Sequence, residues 1–155
     1  MHLALKRTPA SDATRAQHGF AALTKWRLCS QYSHGGIVLD GWLYHSALQH
    51  GGLRRERFDM ATASAGWDFV DLGPERDAAM QLLFRLYRGT PYDLFGLLAF
   101  VLPGHYDDPQ SLYCFEWCAL AMGVPLRQRM TPELLLLAAT TQPGTRRAFL
   151  RPEER

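Results

Sequence analysis

The chain has 155 residues, enough for one domain whose hydrophobic core needs neither disulfides nor a metal. Hydrophobic residues at 47% and charged residues at 21% are ordinary for a globular protein, and a formal net charge of +2 excludes a strong electrostatic pull toward nucleic acid or anionic lipid. Three cysteines, Cys29, Cys114 and Cys118, are an odd number without framework spacing, which argues for a reducing compartment rather than a disulfide scaffold.

Residues 1–18 read as a polar, aperiodic, loose N-terminal arm. Leu3, Ala4 and Leu5 run straight into Lys6-Arg7, too short an apolar core for a signal peptide. A single domain over residues 19–155 follows. Phe20 to Leu28 forms a short helix in this reading, with Phe20, Leu23, Thr24, Trp26 and Arg27 along it. Gly35–Leu39 is a continuous apolar, β-branched run. Asp40-Gly41 separates it from a second run, Trp42–Leu48, and that dipeptide is a strong hairpin signal because both turn positions need positive φ. Further strands are expected over Leu53–Phe58 and Trp67–Leu72.

The hydrophobic period then changes from two to 3.6. Pro74 suits a helix start, and Ala79, Leu82, Leu83, Leu86 and Tyr87 make a stripe ending at Gly89. Asp93–Leu102 reads as a mostly buried helix stopped by Pro103-Gly104, too short to span a bilayer. Ser111 is the expected N-cap of a third helix running to Gly123, and Thr131-Pro132-Glu133 opens a fourth, to about Thr140. Strands followed by helices, without repeats, give an α+β class with a small antiparallel sheet packed against helices. With no leader or membrane span, the chain is expected to be soluble and cytoplasmic as synthesised.

Two segments carry chemistry: Tyr32-Ser33-His34-Gly35-Gly36-Ile37-Val38-Leu39 and Tyr113-Cys114-Phe115-Glu116-Trp117-Cys118. If Ser111 caps the third helix, Cys114 is its third residue, where free N–H groups and the dipole favour a thiolate and lower the thiol pKa. The same N–H groups can donate to an oxyanion. Phe115, Cys118, Ala119 and Met122 form the buried stripe, which leaves Cys114 at its edge, facing a cleft, and makes Cys118 a packing residue. Cys29 has no such context.

A two-residue Asp40-Gly41 turn pairs Leu39 with Trp42, Gly36 with His45 and His34 with Ala47. His34, Gly36 and His45 then share one face of the sheet, with the two histidines as diagonal neighbours. His34 can act as base while His45 holds its orientation, and Gly36 leaves the space between them clear. Tyr32, Phe115 and Glu116 are weaker candidates for substrate binding. Arg54, Arg55 and Arg57 read as a solvated strand face, and His50 falls in a turn with Gly51-Gly52. A metal site from His34, His45, Cys114 and Cys118 does not match usual zinc spacings.

Tyr-Ser-His-small-small-apolar-apolar, a hairpin, then Cys-x-Glu at a helix start resembles the circularly permuted NlpC/P60 superfamily, in the branch of the YiiX/YaeF-like proteins and the lecithin retinol acyltransferase-like enzymes. Gly89-Thr90-Pro91-Tyr92-Asp93-Leu94-Phe95-Gly96 is similar to a Gly-x-x-Tyr-Asp segment preceding the cysteine helix there, and Thr131-Pro132-Glu133-Leu134 to a Pro-x-x-Leu helix start after it. The layout also resembles small prophage-encoded members. The resemblance implies a papain-like fold, Cys114 as nucleophile, His34 as base, His45 as third member, and neither metal nor cofactor. Two departures stand out: Phe115 where the family commonly has serine, and a hairpin one residue shorter than in the acyltransferase-like branch. The expected activity is cleavage of an amide or peptide bond, with bacterial cell-wall peptide delivered to by phage components as one setting. A lipid acyltransferase or thioesterase, or an inactive binding module, are the other two. The expected partners are a peptide or acyl substrate, with no nucleic acid and no stable membrane anchor.

Overall fold

A computed structural model describes residues 1–7, 15–98, 108, 110–125 and 130–141. In chain order its elements are β1 (His2–Lys6), α1 (Arg15–Leu28), β2 (His34–Leu39), β3 (Trp42–Ala47), a 3-10 turn over Leu48–His50, β4 (Gly52–Arg57), α2 (Met60–Ala63), β5 (Trp67–Asp71), α3 (Asp77–Tyr87), α4 (Leu94–Leu98), α5 (Cys114–Ala121) and α6 (Pro132–Thr141). The class is α+β, and the strands form one antiparallel sheet in the order β4-β3-β2-β1-β5.

The hairpin forms as its turn chemistry dictates. Asp40 and Gly41 take φ of 51° and 72°, and the register runs Leu39 to Trp42, Val38 to Leu43 and Ile37 to Tyr44. β4 and β5 match the two later expected strands within a residue or two.

Residues 2–6 overturn the reading of the N-terminus as a loose arm. They are an interior strand, antiparallel to β2 on one side and to β5 on the other. Leu3 and Leu5 are fully buried on one face and Ala4 on the other. The sequence does not mark this strand, because its partners lie some thirty and sixty residues away and a five-residue strand carries little signal of its own. The helix that follows also begins earlier than expected, at Arg15.

The sheet carries apolar side chains on both faces. Leu3, Leu5, Ile37, Leu39, Tyr44, Leu53 and Val70 join the larger core beneath α5, α3 and α6. Ala4, Val38, Leu43, Trp67 and Phe69 form a smaller core on the other face, covered by Phe58, Met60 and Ala63. Helix α5 lies over β2 and β3 and is clasped there. The Trp117 indole N–H donates to the Tyr44 carbonyl at 2.9 Å, and the Ser46 hydroxyl donates to the Leu112 carbonyl at 2.6 Å. Phe115 packs on Gly35, where any Cβ would come within 3.0–3.1 Å of its ring.

The buried face of α3 differs from the expected stripe. Met80 and Phe84 are buried, whereas Leu82 and Leu86 are 58% and 71% exposed. Phe84 decides the rotation: its ring lies edge-on to Tyr44 at 4.8 Å and to Trp117 at 6.3 Å, linking helix, sheet and α5 in one contact. The helix expected over Asp93–Leu102 is described as α4 through Leu98; its end and the Pro103-Gly104 stop lie outside the described residues. Among the described residues no helix is long and apolar enough to cross a membrane.

Candidate active site

Helix α5 starts later than the sequence implies. Its N-cap is Tyr113, not Ser111, so Cys114 is the first helical residue rather than the third. Glu116 reaches back and its carboxylate accepts from the Tyr113 backbone N–H at 3.2 Å. That closes the helix entry in the manner of a capping box. The Tyr113 hydroxyl donates to the Met130 carbonyl at 2.9 Å and accepts from the Met130 N–H at 2.7 Å, which ties the entry to the segment leading into α6.

His34 opens β2 and His45 lies on β3. The hairpin register makes them the diagonal pair expected, and His34 Nε2 stands 2.8 Å from His45 Nδ1 with the rings edge-to-face. Gly36 is what permits it: a Cβ there would sit 2.6 Å from Leu43 Cδ1 and 3.1 Å from His45 Cβ. Because Nε2 of His34 is taken, Nδ1 is the nitrogen left for a proton from a thiol.

Beyond His45 the polar chain continues. His45 Nε2 lies 3.5 Å from Glu56 Oε1, and His50 Nε2 lies 3.5 Å from Glu56 Oε2. An ionised carboxylate only accepts. Facing Glu56, neutral His45 therefore favours its proton on Nε2, and its Nδ1 then accepts from His34 Nε2–H. His34 Nδ1 is left with its lone pair free, the state a general base needs. Burial pushes both histidines down, His45 to about 4 and His34 well below its ordinary value. His50 and Lys6 depress both further, His45 adds to the effect on His34, and Arg54 to that on His45. Both imidazoles are neutral at neutral pH.

Cys114 is 3% exposed. Backbone N–H groups of Gly35, Phe115 and Cys114 itself favour its thiolate, but burial outweighs them and pushes the thiol up to about 12, with Glu116 adding to the rise. The fall expected from the helix dipole is thus reversed, because desolvating an anion costs more than one helix terminus returns. Cys118 is fully buried, as its place in the stripe implied, and burial raises its pKa as well. Cys29 is exposed at the end of α1.

The thiol and the histidine pair approach the sheet from different sides. Cys114 belongs to the core beneath α5, whereas His34 faces Trp67 of the opposite core, ring centroids 6.2 Å apart. They converge at the start of β2, where the sulfur meets the backbone N–H of Gly35, the residue after His34. Among the described residues no hydrogen bond joins Cys114 to His34 in this conformation.

The three residues assigned to substrate binding do not line an open surface. Tyr32 is 2% exposed and its hydroxyl donates to Asp68 Oδ2 at 2.8 Å; Phe115 is fully buried against Gly35; Glu116 closes its own helix. Each is engaged in packing or capping. In their place the structure brings in Tyr92, whose phenol is raised by burial and by the neighbouring Cys114, Asp93 and Glu116. It brings in Glu56 and His50 as well. Tyr92 had a signal, the Gly-x-x-Tyr-Asp segment. Glu56 had none, sitting among arginines on a strand.

A scan against protein-family models finds no match, and a search of curated proteins finds none either.

The buried thiol makes a prediction about stability. In the unfolded chain Cys114 ionises near its ordinary value of 9.0, and in the folded chain only near 12. Above pH 9 the unfolded state sheds its proton first, so stability is full below about pH 9 and falls as pH rises toward 12. The loss is about 2 kcal/mol by pH ~10.5 and at most ~4 kcal/mol. Urea unfolding of wild type and Cys114→Ala from pH 8 to pH 10.5 should show the wild type losing about 2 kcal/mol more than the variant. Parallel curves would mean that water reaches the sulfur.

Proposed function

We propose that the chain is a cysteine hydrolase of papain-like, circularly permuted NlpC/P60 type, acting on an amide or peptide bond. Cys114 is the nucleophile, His34 the base through Nδ1, and His45 the residue that orients His34. The observation that carries the reading is the 2.8 Å contact between His34 Nε2 and His45 Nδ1, beside a helix whose first residue is a cysteine. With a thiol held near 12 and neutral imidazoles, the resting pair is uncharged. Proton transfer then accompanies attack rather than preceding it.

The thiol proton moves to His34 Nδ1 as sulfur bonds to the carbonyl carbon. The imidazolium returns that proton to the leaving amine, and water, deprotonated by the same nitrogen, releases the acid and restores the thiol. The N–H groups at the start of α5 suit the oxyanion. A cell-wall peptide is one substrate that fits this chemistry.

A second reading, an inactive papain-like binding module, draws support from the 3% exposure of Cys114 and from the missing Cys114–His34 hydrogen bond. p-Nitrophenyl acetate separates the two. The hydrolase should release a burst of p-nitrophenolate and gain one acetyl group on Cys114 by peptide mass mapping. Cys118→Ala should retain the burst and Cys114→Ala should lose it. No burst from the wild type, or an equal one from Cys114→Ala, would favour the binding module.

A further inference from the structure

His45, His50 and Glu56 meet where β3 passes through the 3-10 turn into β4. One donor atom from each, two imidazole nitrogens and a carboxylate oxygen, lies within 4.8 Å of the others. Each nitrogen is 3.5 Å from its Glu56 oxygen. A tetrahedral zinc ion with bonds of about 2.0–2.2 Å places its donor atoms roughly 3.3 Å apart, so each nitrogen–carboxylate separation nearly fits and the widest separation closes by up to about 1.5 Å.

A second observation points to a ligand at the same place. His45 Nε2 is buried and, among the described residues, makes no hydrogen bond: Glu56 Oε1 faces it at 3.5 Å as a charge contact only. A buried nitrogen left in that state is costly unless something occupies it. His50 and Glu56 are more open, with side chains 25% and 41% exposed, which provides an entry path and a solvent-facing fourth position. Two nitrogens and one oxygen suit zinc, whereas magnesium and calcium require mostly oxygen. Lys6 and Arg54 raise the local positive potential and weaken the site, but Arg54 is exposed and therefore screened.

We propose that His45 Nε2, His50 Nε2 and the Glu56 carboxylate bind one zinc ion, and that its binding silences the neighbouring cysteine–histidine pair. The site stands on its own geometry; only the silencing rests on the hydrolase reading. Metal on His45 Nε2 forces the remaining proton of that ring onto Nδ1. His45 Nδ1–H then donates to His34 Nε2, across the same 2.8 Å. Neutral His34 must carry its own proton on Nδ1, so the lone pair that would accept the thiol proton is gone. The metal thereby inverts the tautomers that Glu56 alone would set.

Three measurements on chelator-stripped full-length chain test this. Zinc titration against a colorimetric chelator should give one ion per wild-type chain, retained in Cys114→Ala and lost in His50→Ala and Glu56→Gln. Cobalt(II) should give the visible bands of a tetrahedral site without a thiolate charge-transfer band. Imidazole ¹⁵N shifts in Cys114→Ala should show the His34 proton moving from Nε2 to Nδ1 when zinc is added, whatever the activity. Zinc should also suppress the p-nitrophenolate burst at least tenfold in wild type and leave His50→Ala unaffected. Binding that survives His50→Ala, a thiolate band, or an unchanged His34 tautomer would each overturn the proposal. If the zinc and ¹⁵N results hold while no chain shows a burst, the zinc site stands and the hydrolase reading falls.

Discussion

Replacing His34 with alanine should slow acylation of Cys114 by ~10²–10⁴-fold, the range a positioned general base contributes. The expectation follows from the neutrality of the resting pair. With its thiol held near 12, Cys114 presents almost no thiolate at neutral pH and depends on a base at the moment of attack. His34 is the candidate base because Gly35, whose N–H meets the sulfur, is its neighbour in the chain, and because His45 occupies its other nitrogen. His34 is only half-buried at the start of β2, so its truncation leaves both cores in place. The burst rate with p-nitrophenyl acetate, followed beside the circular dichroism of each variant, checks this. An unchanged rate in folded His34→Ala would mean that the thiol reacts without the imidazole and would remove His34 from the mechanism.

Deleting residues 1–7 should abolish cooperative folding. β1 fills the sheet between β2 and β5, with five register pairs on each side. Its loss strips ladder hydrogen bonds worth about 0.5–1.5 kcal/mol each from two neighbours. Leu3 and Leu5, both fully buried, contribute about 1.5–3 kcal/mol apiece. Together these terms match the about 5–15 kcal/mol of a typical domain. Among the described residues β5 would also lose its only partner strand. The milder Leu5→Ala should cost about 2–5 kcal/mol. Urea unfolding followed by tryptophan fluorescence decides the matter, and a sharp transition retained after the deletion would show that the segment is dispensable.

Those two expectations differ in how far the chain itself announces them. The His34–His45 contact was legible because it depends on local chemistry. Asp40-Gly41 accepts only a narrow set of backbone conformations, that turn sets the register, and register with alternation sets the face. β1 was not legible, since a short strand is defined by partners remote in sequence and His-Leu-Ala-Leu-Lys offers no turn or period to mark it. The face of α3 was misjudged for a related reason. The one apolar stripe read there omitted Met80 and Phe84, whose burial is set by the aromatic contacts of Phe84 with Tyr44 and Trp117, both remote in sequence.

Sequence alone determined the α+β class, the β2–β3 hairpin with its two histidines on one face, and the start of a helix beside Cys114. Each depends on interactions a few residues long, which composition and spacing record. Tertiary structure decided the rest. It placed β1 inside the sheet, moved the helix cap from Ser111 to Tyr113, and turned Tyr32, Phe115 and Glu116 to packing and capping. It also brought Glu56 and His50 to the pair of histidines, and it reversed the direction of the Cys114 pKa. A helix dipole can be inferred from one segment; the cost of desolvating a thiolate depends on everything that covers it, here α5, the sheet and the segment through Tyr92.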